Sequence, residues 1–346
     1  MNAMNAMNEM NESIEYIDRA TAQELLSPAD AVEALRRTLL AGYRPERDHA
    51  RVADPLARGE FLLMPSETDA AVGVKVLTVA PGNPARGLQR IQGLYILFDA
   101  QTLAPTRLID GPALTDLRTA AVSLAAVRDP LLRDDGSLDV VVYGAGHQAE
   151  AHVRTLRAVL DGRREIASVA CVVRSPDRVS ADRIAADADD SRSGADRAHA
   201  GPPFTEVLRS GSAEAEAATA RAGLILCATT ARTPLFRGGL VRDDAIVVAV
   251  GSHEPDAREL DAELMGRADV VVEERDVALR ECGDVVMAVA AGALRAEELI
   301  PLADYLTGTA TVRGGRPLVF KSAGMPWEDL VIAEAIADAR DQRVRA

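Results

Sequence analysis

The chain has 346 residues, which is enough for two domains with sizeable cores. Its 39 basic and 53 acidic residues give a formal net charge of −14, which argues against nucleic acid or an anionic membrane surface as a partner. The three cysteines lack the C-x-x-C spacing of a zinc or redox site, and we interpret them as reduced thiols of a cytoplasmic protein.

The first residues, 1–12, have neither the basic nor the apolar segment of a signal peptide and are predicted to be a disordered leader. No apolar run in the chain reaches the length of a membrane-spanning helix. Ser27-Pro28 then predicts the start of a helix, because an N-cap serine is followed by proline at the first helical position.

Consecutive strands with short connections follow, and this pattern is typical of an antiparallel sheet. The predicted strands are Phe61–Met64, Val72–Val79, Leu94–Phe98 and Pro105–Ile109. The last two form a predicted hairpin, because the turn residues 99–102 separate them. A helix is predicted over Leu114–Val127.

From Asp139 onward the pattern changes to alternating strands and helices, which predicts a parallel sheet covered by helices on both faces. The predicted strands are residues 139–143, 168–173, 223–228, 245–250 and 269–272. The polar stretch Asp187–Pro203 predicts a flexible surface loop. Pro317–Phe320 and the helix Trp327–Arg340 do not continue the repeat, and we expect both to return to the first domain.

The stretch Val140–Ala149 predicts a buried strand, a glycine turn and the start of a helix that continues over Glu150–Leu160. Gly144 permits the tight turn, Gly146 lets the backbone approach a phosphate, and Ala149 keeps helix and strand close. Free N–H groups at a helix N-terminus bind pyrophosphate, so this order of elements favours a dinucleotide site. The same turn also serves flavin and S-adenosylmethionine enzymes, and it occurs without a ligand.

The end of the second strand of such a fold selects the form of the nicotinamide cofactor, because it faces the ribose. Arg174, Ser175 and Arg178 stand there and favour NADP(H), since guanidinium groups bind phosphate through charge-assisted hydrogen bonds. Asp177 is interpreted as the start of the next helix. NAD(H) stays an alternative cofactor, and a solvated basic loop is the interpretation without a ligand.

Three basic residues in the front part of the chain have apolar neighbours. Lys75 lies in the middle of the run Val72–Leu77, where a charge is costly without a partner. Arg118 precedes a helix face of small residues, and Arg51 precedes the strand that ends at Leu63-Met64-Pro65. Together they are candidates to bind a carboxylate in an acidic protein. Taken one at a time, each residue is also explained by a structural ion pair. For Arg51 alone, a solvated surface charge is the better explanation.

Several short motifs run in order along most of the chain. They are Gly73-Val74-Lys75, Pro81-Gly82-Asn83, Gly87-Leu88-Gln89, Leu114-Thr115, Arg118-Thr119-Ala120-Ala121, Gly144-Ala145-Gly146, Gln148-Ala149, Cys227-Ala228-Thr229-Thr230, Val250-Gly251, Pro255, Glu259-Leu260-Asp261, Gly283-Asp284, Phe320-Lys321-Ser322 and Gly324. In this combination the chain resembles the ornithine cyclodeaminase/μ-crystallin family.

The resemblance implies an α/β protein in which a Rossmann-type NAD(P)-binding domain covers residues 129–314. An α+β domain for substrate binding and dimerisation would be formed by residues 13–128 and 315–346. The resemblance also implies a homodimer built through that α+β domain and a small imino or amino acid as substrate.

The resemblance further implies that Arg51 and Arg118 bind the substrate carboxylate and that Lys75 is the active-site lysine. The residues expected to bind the cofactor are Thr119, Gly144, Ala145, Gly146, His147, Gln148, Ala149, Arg174, Ser175, Arg178, Cys227, Ala228, Thr229, Thr230, Val250, Gly251, Lys321, Ser322 and Gly324. His147 and His152 flank the glycine turn and are interpreted as packing residues or as part of the phosphate surroundings.

One position departs from the family pattern. Cyclodeaminases of this family carry an aspartate after the Val-Gly of the fifth strand, and His253 occupies that position here, with Glu254 next to it. The departure favours NADPH-dependent reduction of an imino or ketimine acid over cyclodeamination. Lys75, with a pKa lowered by burial, and His253 are the candidate proton donors. An ornithine or lysine cyclodeaminase with recycled NAD and a non-catalytic NADP-binding protein are the alternatives, and His253 is also explained by a loop hydrogen bond.

Overall fold

A computed structural model describes residues 14–184 and 203–345. The predictions for the leader and for the loop Asp187–Pro203, except Pro203 itself, fall outside these residues. Contacts divide the chain into two units. The antiparallel unit comprises the described parts of Met1–Ser27, Asp48–Thr115 and Pro326–Ala346, and the parallel unit comprises those of Pro28–Arg47 and Asp116–Met325.

The strands, in chain order, are β1 (Glu15–Ile17), β2 (Val52–Leu56), β3 (Gly59–Glu67), β4 (Ala71–Val79), β5 (Ile91–Asp99), β6 (Pro105–Asp110), β7 (Leu138–Tyr143), β8 (Ile166–Val173), β9 (Glu206–Arg209), β10 (Leu224–Cys227), β11 (Ile246–Ala249), β12 (Asp269–Val272), β13 (Ile300–Pro301) and β14 (Leu318–Lys321).

The α-helices of the described residues are α1 (Arg19–Leu25), α2 (Pro28–Leu40), α3 (Gly111–Leu131), α4 (His147–Leu160), α5 (Ala213–Arg221), α6 (Ala262–Arg267), α7 (Arg275–Glu281), α8 (Gly283–Ala290), α9 (Leu302–Thr307) and α10 (Pro326–Arg345). Short 3-10 helices cover Pro45–Arg47, Pro84–Arg86, Pro176–Arg178, Ala181–Arg183, Gly238–Leu240 and Ala296–Glu298. Among the helices so described, none combines the length and the apolar character that crossing a membrane requires.

The antiparallel unit is built on a sheet with the strand order β1-β6-β5-β4-β3-β2. Neighbouring strands are antiparallel, as the sequence predicts, except that β1 runs parallel to β6. Side chains of β4 alternate between a fully buried and a half-exposed face, because successive residues of a strand point to opposite sides. Helix α10 packs on β3, β4 and β5, so the C-terminal end of the chain completes the core of this unit.

The parallel unit is built on a sheet with the strand order β13-β12-β14-β11-β10-β7-β8-β9, and every neighbouring pair is parallel. This confirms the predicted α/β architecture. Residues of β10, β11, β12 and β14 are buried along their whole length, as expected for strands covered on both faces.

Strand β14 lies between β11 and β12 in this sheet, so its expected return to the first domain is wrong. In the chain, β14 follows β12 and β13, but in the sheet it lies between β12 and β11. The order of elements along a sequence does not reveal such a placement. Of β14 and α10, it is α10 that belongs to the antiparallel unit, as expected of the C-terminal helix.

Helix α2 was expected in the first domain but lies in the parallel unit. Buried Arg36 of this helix donates to the carbonyl of Ala125 at 2.8 Å and to Asp129 at 2.8 Å. Shortly after the helix, Arg44 pairs with Asp304 at 2.8 Å. These partners lie far along the chain, so the local pattern of α2 carries no sign of them. Apart from β14 and α2, the domain boundaries given above remain a prediction.

The buried titratable side chains of the parallel unit include three cysteines and a histidine. Cys171, Cys227 and Cys282 are free and buried, and burial raises the pKa of Cys171 and of Cys282 to about 12. His152 of α4 is 1% exposed and lies between the carbonyl of Gln148 at 2.7 Å and the hydroxyl of Ser123 at 3.0 Å. Burial lowers the pKa of His152 to about 4, so the ring is neutral in the folded protein.

The neutral His152 makes stability depend on pH. The pKa of His152 is about 4 in the folded protein and near 6.5 in the unfolded chain. The contribution of the neutral ring to the free energy of unfolding is therefore fully present above pH 6.5 and is lost as the pH falls toward 4. Between pH 7 and pH 5 the free energy of unfolding should fall by about 2 kcal/mol more in the wild type than in His152→Gln.

Denaturant unfolding at the two pH values measures this difference. His49→Gln is the matched control, because the side chain of His49 is 53% exposed. An equal pH dependence in the wild type and in His152→Gln would contradict the assignment of a neutral ring.

Candidate functional site

The carboxyl ends of four neighbouring strands in the parallel sheet lie in register. Cys227 of β10 is opposite Tyr143 of β7 and Ala249 of β11, and Ala249 is opposite Lys321 of β14. Segments that follow these strands therefore meet at one edge of the sheet, which is where open parallel sheets bind ligands. The predicted residues that follow strands at this edge are Gly144–Ala149, Arg174, Ser175, Arg178, Ala228–Thr230, Val250–Gly251, His253, Ser322 and Gly324.

The glycine turn after β7 has the geometry of a phosphate cradle. Gly144 has φ +105°, and a Cβ atom there would lie 2.6 Å from the carbonyl oxygen of Ala228. Gly146 is the N-cap of α4 and provides no side-chain cap, and a Cβ atom there would meet nothing within 4 Å. Gly146 and His147 are exposed, so the N-terminus of this 14-residue helix is open to solvent at these two residues, as binding of a pyrophosphate requires.

Glu259 joins the loops that follow β10 and β11. One carboxylate oxygen accepts from the N–H and the hydroxyl of Thr229, both at 2.8 Å, and the other accepts from the N–H of Gly251 at 2.7 Å. Burial raises the pKa of Glu259, whereas nearby Lys321 acts in the opposite direction. The carboxylate therefore fixes the backbone at two points of the sheet edge. Sequence reasoning quoted this residue only as part of a motif.

Lys321 is fully buried at the end of β14. Its ammonium donates to the carbonyls of Ser252 at 2.6 Å, Ser322 at 2.9 Å and Ala249 at 3.3 Å, and it lies 3.4 Å from Asp284. Burial by itself would lower the pKa of Lys321, but Asp284 and the other anionic neighbours raise it above its ordinary value. The ammonium is thus directed into the protein interior, where it braces the same loops that were expected to line a cofactor.

Arg118 and Thr119 lie on α3 and are each 7% exposed. Gly324, with φ +80°, lies against the guanidinium of Arg118, because a Cβ atom there would be 2.2 Å from Nη1. The segment that carries Gly324 is held by Glu273, which accepts from the hydroxyl of Ser322 at 2.5 Å and from the N–H of Gly324 at 3.0 Å. The structure thus brings the predicted Arg118 together with the predicted Ser322 and Gly324.

His253 is exposed in the loop after β11. The adjacent Glu254 pairs with Arg232 at 2.6 Å, and Asp256 holds the other end of the same guanidinium at 2.5 Å. The carboxylate next to His253 is therefore engaged in a surface ion pair.

The loop after β8 carries Arg174 and Arg178, which are exposed, and Ser175, which is half-buried. Arg209, at the end of the neighbouring strand β9, donates to the carbonyl of Arg174 at 3.1 Å and lies 3.7 Å from Asp177. Arg209 therefore adds a third guanidinium group to this region and lies near its carboxylate. Sequence reasoning missed Arg209, because the two strands are neighbours only in the fold.

In the antiparallel unit, Lys75 lies in the middle of β4 and is fully buried. Its ammonium is 2.6 Å from a carboxylate oxygen of Asp329 and 3.4 Å from the hydroxyl of Thr115. Asp329 is equally buried, in the first turns of α10. Arg51 directly precedes β2 and is half-buried.

Sequence reasoning did not find Asp329, which is 254 residues from Lys75. The available signal was a pair of acidic residues, Glu328 and Asp329, inside a helix segment that is otherwise apolar from Trp327 to Ala333. All of these side chains are buried, and a carboxylate in such a position needs a partner.

Comparison with known proteins confirms the resemblance. The model of the ornithine cyclodeaminase/mu-crystallin family matches residues 16–343. The Δ1-pyrroline-2-carboxylate reductase of Paracoccus denitrificans is 31% identical over 93% of this chain and 96% of the relative. The ketimine reductase mu-crystallin of Mus musculus is 31% identical over 84% of each chain.

Among solved structures, the fold is similar to that of the Δ1-pyrroline-2-carboxylate reductase of Thermococcus litoralis in complex with NADH and L-proline. The TM-score is 0.80, with 25% identity, and the match covers 95% of this chain and 98% of that chain. The family model covers nearly the whole chain, so this protein belongs to the ornithine cyclodeaminase/mu-crystallin family.

Proposed function

We propose that this protein reduces the C=N bond of an imino or ketimine acid to the corresponding amino acid with a nicotinamide cofactor. The observation that carries the proposal is the open glycine turn at the N-terminus of α4, beside loops that Glu259 and Lys321 hold in place. The names of the relatives support it, since they are reductases of cyclic imino acids and ketimines.

The reaction adds a hydride to the imine carbon and a proton to the imine nitrogen. When bound, the reduced nicotinamide supplies the hydride. Gly144 and Gly146 fit its pyrophosphate, because the turn leaves the space and the N–H groups that a phosphate needs. Thr229 and Gly251 belong to the braced loops of the same sheet edge and are proposed to line the nicotinamide half.

Arg51 and Arg118 are proposed to bind the substrate carboxylate, since a guanidinium presents paired donors that match a carboxylate. Lys75 is proposed to protonate the imine nitrogen. A carboxylate at 2.6 Å favours the charged form of the amine, which is the form that a proton donor requires. His253, exposed in its loop, is retained as a second proton carrier.

The activity is tested by following NADPH absorbance with Δ1-pyrroline-2-carboxylate, open-chain ketimines and iminosuccinate as substrates. We expect turnover with at least one of them and a loss of about 100-fold or more in kcat for Lys75→Ala, which removes the proton donor. Binding of NADPH, measured by fluorescence, should stay unchanged. Val344→Ala, at a side chain 71% exposed on α10, is the control.

Two results would contradict the proposal. Ammonia release from ornithine or lysine without net NADPH oxidation would identify a cyclodeaminase. Binding of NADPH without turnover of any imino acid would identify a cofactor-binding protein.

We further propose that NADP(H) is preferred over NAD(H). Arg174 and Arg178 are exposed after β8, and Arg209 places a third guanidinium beside them. Asp177 lies 3.7 Å from Arg209, so the carboxylate that would repel a 2′-phosphate is partly neutralised. A phosphate with two negative charges gains more from this cluster than a ribose hydroxyl does.

Arg174→Asp tests the cofactor preference. The ratio of kcat/KM for NADPH to kcat/KM for NADH should fall by about 10- to 100-fold, because one charge-assisted contact is lost and a repulsive charge is added. Arg280→Asp, at an exposed arginine of α7, is the matched control. An unchanged ratio would mean that another part of the protein recognises the 2′-phosphate.

We also propose a homodimer formed through the antiparallel sheet. The face of the sheet opposite α10 carries two apolar rows of cross-strand neighbours, Val52-Leu63-Val76-Leu94 and Pro65-Val74-Ile96-Leu108-Tyr16. Val52 and Tyr16 are each 53% exposed, and Leu94 is 38% exposed. A contiguous apolar face of this kind is typical of a protein interface, and a second copy would cover it with an identical face.

Val74→Glu tests this interface, because it places a charge in the centre of the face. Light scattering after size-exclusion chromatography should show a dimer for the wild type and a monomer for Val74→Glu. Leu40→Glu is the control, since Leu40 is 51% exposed and lies on α2 of the parallel unit. A monomeric wild type, or a dimeric Val74→Glu, would exclude this interface.

A further inference from the structure

The sequence contains two lysines, Lys75 and Lys321, among 39 basic residues. Both are fully buried, and each faces a buried aspartate. Every other basic residue is an arginine. The two positions therefore share a feature that the rest of the chain lacks, namely a compact ammonium group in the interior.

The surroundings of the two ammonium groups differ. The ammonium of Lys321 donates to three carbonyl oxygens, as expected for a group that holds loops in place. The ammonium of Lys75 contacts two side chains, those of Asp329 at 2.6 Å and Thr115 at 3.4 Å. Asp329 of α10 thus provides a buried counter-charge for Lys75.

Asp329 is itself held in place at the start of α10. The carboxylate of Asp48 accepts from the N–H of Trp327 at 2.7 Å and from the hydroxyl of Ser66 at 2.7 Å, so it links the first turn of the helix to β3. Burial raises the pKa of Asp48, whereas these hydrogen bonds act in the opposite direction. The position of Asp329 over β4 is therefore fixed from two sides, by helix packing and by this link.

Lys75 has neighbours on two strands and two helices besides its own strand, and α10 also carries the buried Glu328 next to Asp329. Its cross-strand neighbours are Met64 of β3 and Tyr95 of β5, and both are buried. Thr115 comes from α3 and Asp329 from α10. Of these four neighbours Asp329 is the carboxylate, so its removal leaves a buried ammonium without that charge.

We infer that Asp329 is a positioning residue that keeps Lys75 charged and directed for proton transfer to the substrate. The inference rests on the proposed function in one respect, because the proton acceptor is the imine nitrogen. The step is a proton transfer from the ammonium of Lys75 to that nitrogen, after which the amine of Lys75 regains a proton from solvent. Asp329 itself exchanges no proton with the substrate.

The charge state of Lys75 can be read directly, because protein grown on lysine labelled with ¹⁵N at Nζ gives signals from two side chains. In Asp329→Asn we expect the titration of the Lys75 signal to move to lower pH than in the wild type, while the Lys321 signal stays in place. The kcat should fall about 10-fold or more, with a smaller change in KM, and the high-pH limb of kcat should move in the same direction.

Glu334→Gln is the matched control on the same helix. Glu334 contacts Thr68 at 3.4 Å, and burial raises its pKa to about 7. This variant should leave both lysine signals and kcat unchanged. Fluorescence of Trp327, which is the single tryptophan and is fully buried two residues before Asp329, reports whether α10 remains packed.

Asp329→Glu decides the question if Asp329→Asn does not fold. It keeps a carboxylate but displaces it by one methylene, so the Lys75 titration should remain close to that of the wild type while kcat stays reduced. An unchanged kcat in a folded Asp329→Glu, or an unchanged Lys75 titration in Asp329→Asn, would overturn the inference. The nuclear magnetic resonance measurement needs no substrate, so it gives a result even if the protein reduces no imine.

Discussion

A buried ammonium group must have a counter-charge, and this requirement connects distant parts of the chain. Lys75 is paired with Asp329, and Lys321 lies beside Asp284. Ion pairs of this kind contribute little net stability, because desolvation of both charges offsets their attraction. Loss of one partner is costly, however, since the other charge is left in the interior. Such pairs therefore specify an arrangement more than they stabilise it.

The edge of the parallel sheet shows how buried carboxylates organise backbone. Glu259 and Glu273 each accept hydrogen bonds from the N–H groups of loops that follow central strands. A loop held in this way presents its remaining groups in a fixed direction. Preorganisation of this type reduces the entropy lost when a cofactor binds. The glycine turn supplies the space for the ligand, and the buried carboxylates supply the rigidity around it.

The sequence predicted those features that depend on local patterns. Alternation of apolar residues in β4, the alternating strands and helices after Asp139, and the turn at Gly144 each have a signature within a few residues. These predictions of sheet type are confirmed. The residues assigned to substrate and cofactor contacts stay predictions, although the structure gathers those of the parallel unit at one sheet edge.

Features that depend on distant contacts were not predictable in the same way. Strand β14 enters the sheet between two earlier strands, and its short apolar run gives no indication of its neighbours. Asp329 looked like an ordinary acidic residue near the start of a helix, where negative charge is common. Its role is visible only when Lys75 is placed opposite to it.

The packing of α10 on the antiparallel sheet also sets an order of events during synthesis. Strands β3 to β5 leave the ribosome well before the helix that covers them, since β5 ends at Asp99 and α10 begins at Pro326. Until α10 has been synthesised, the amine of Lys75 lacks Asp329, and the face of the sheet that α10 covers stays open to chaperones or to aggregation. A chain truncated before α10 would consequently keep every described strand of the parallel sheet, but its antiparallel sheet would lack the helix that covers it.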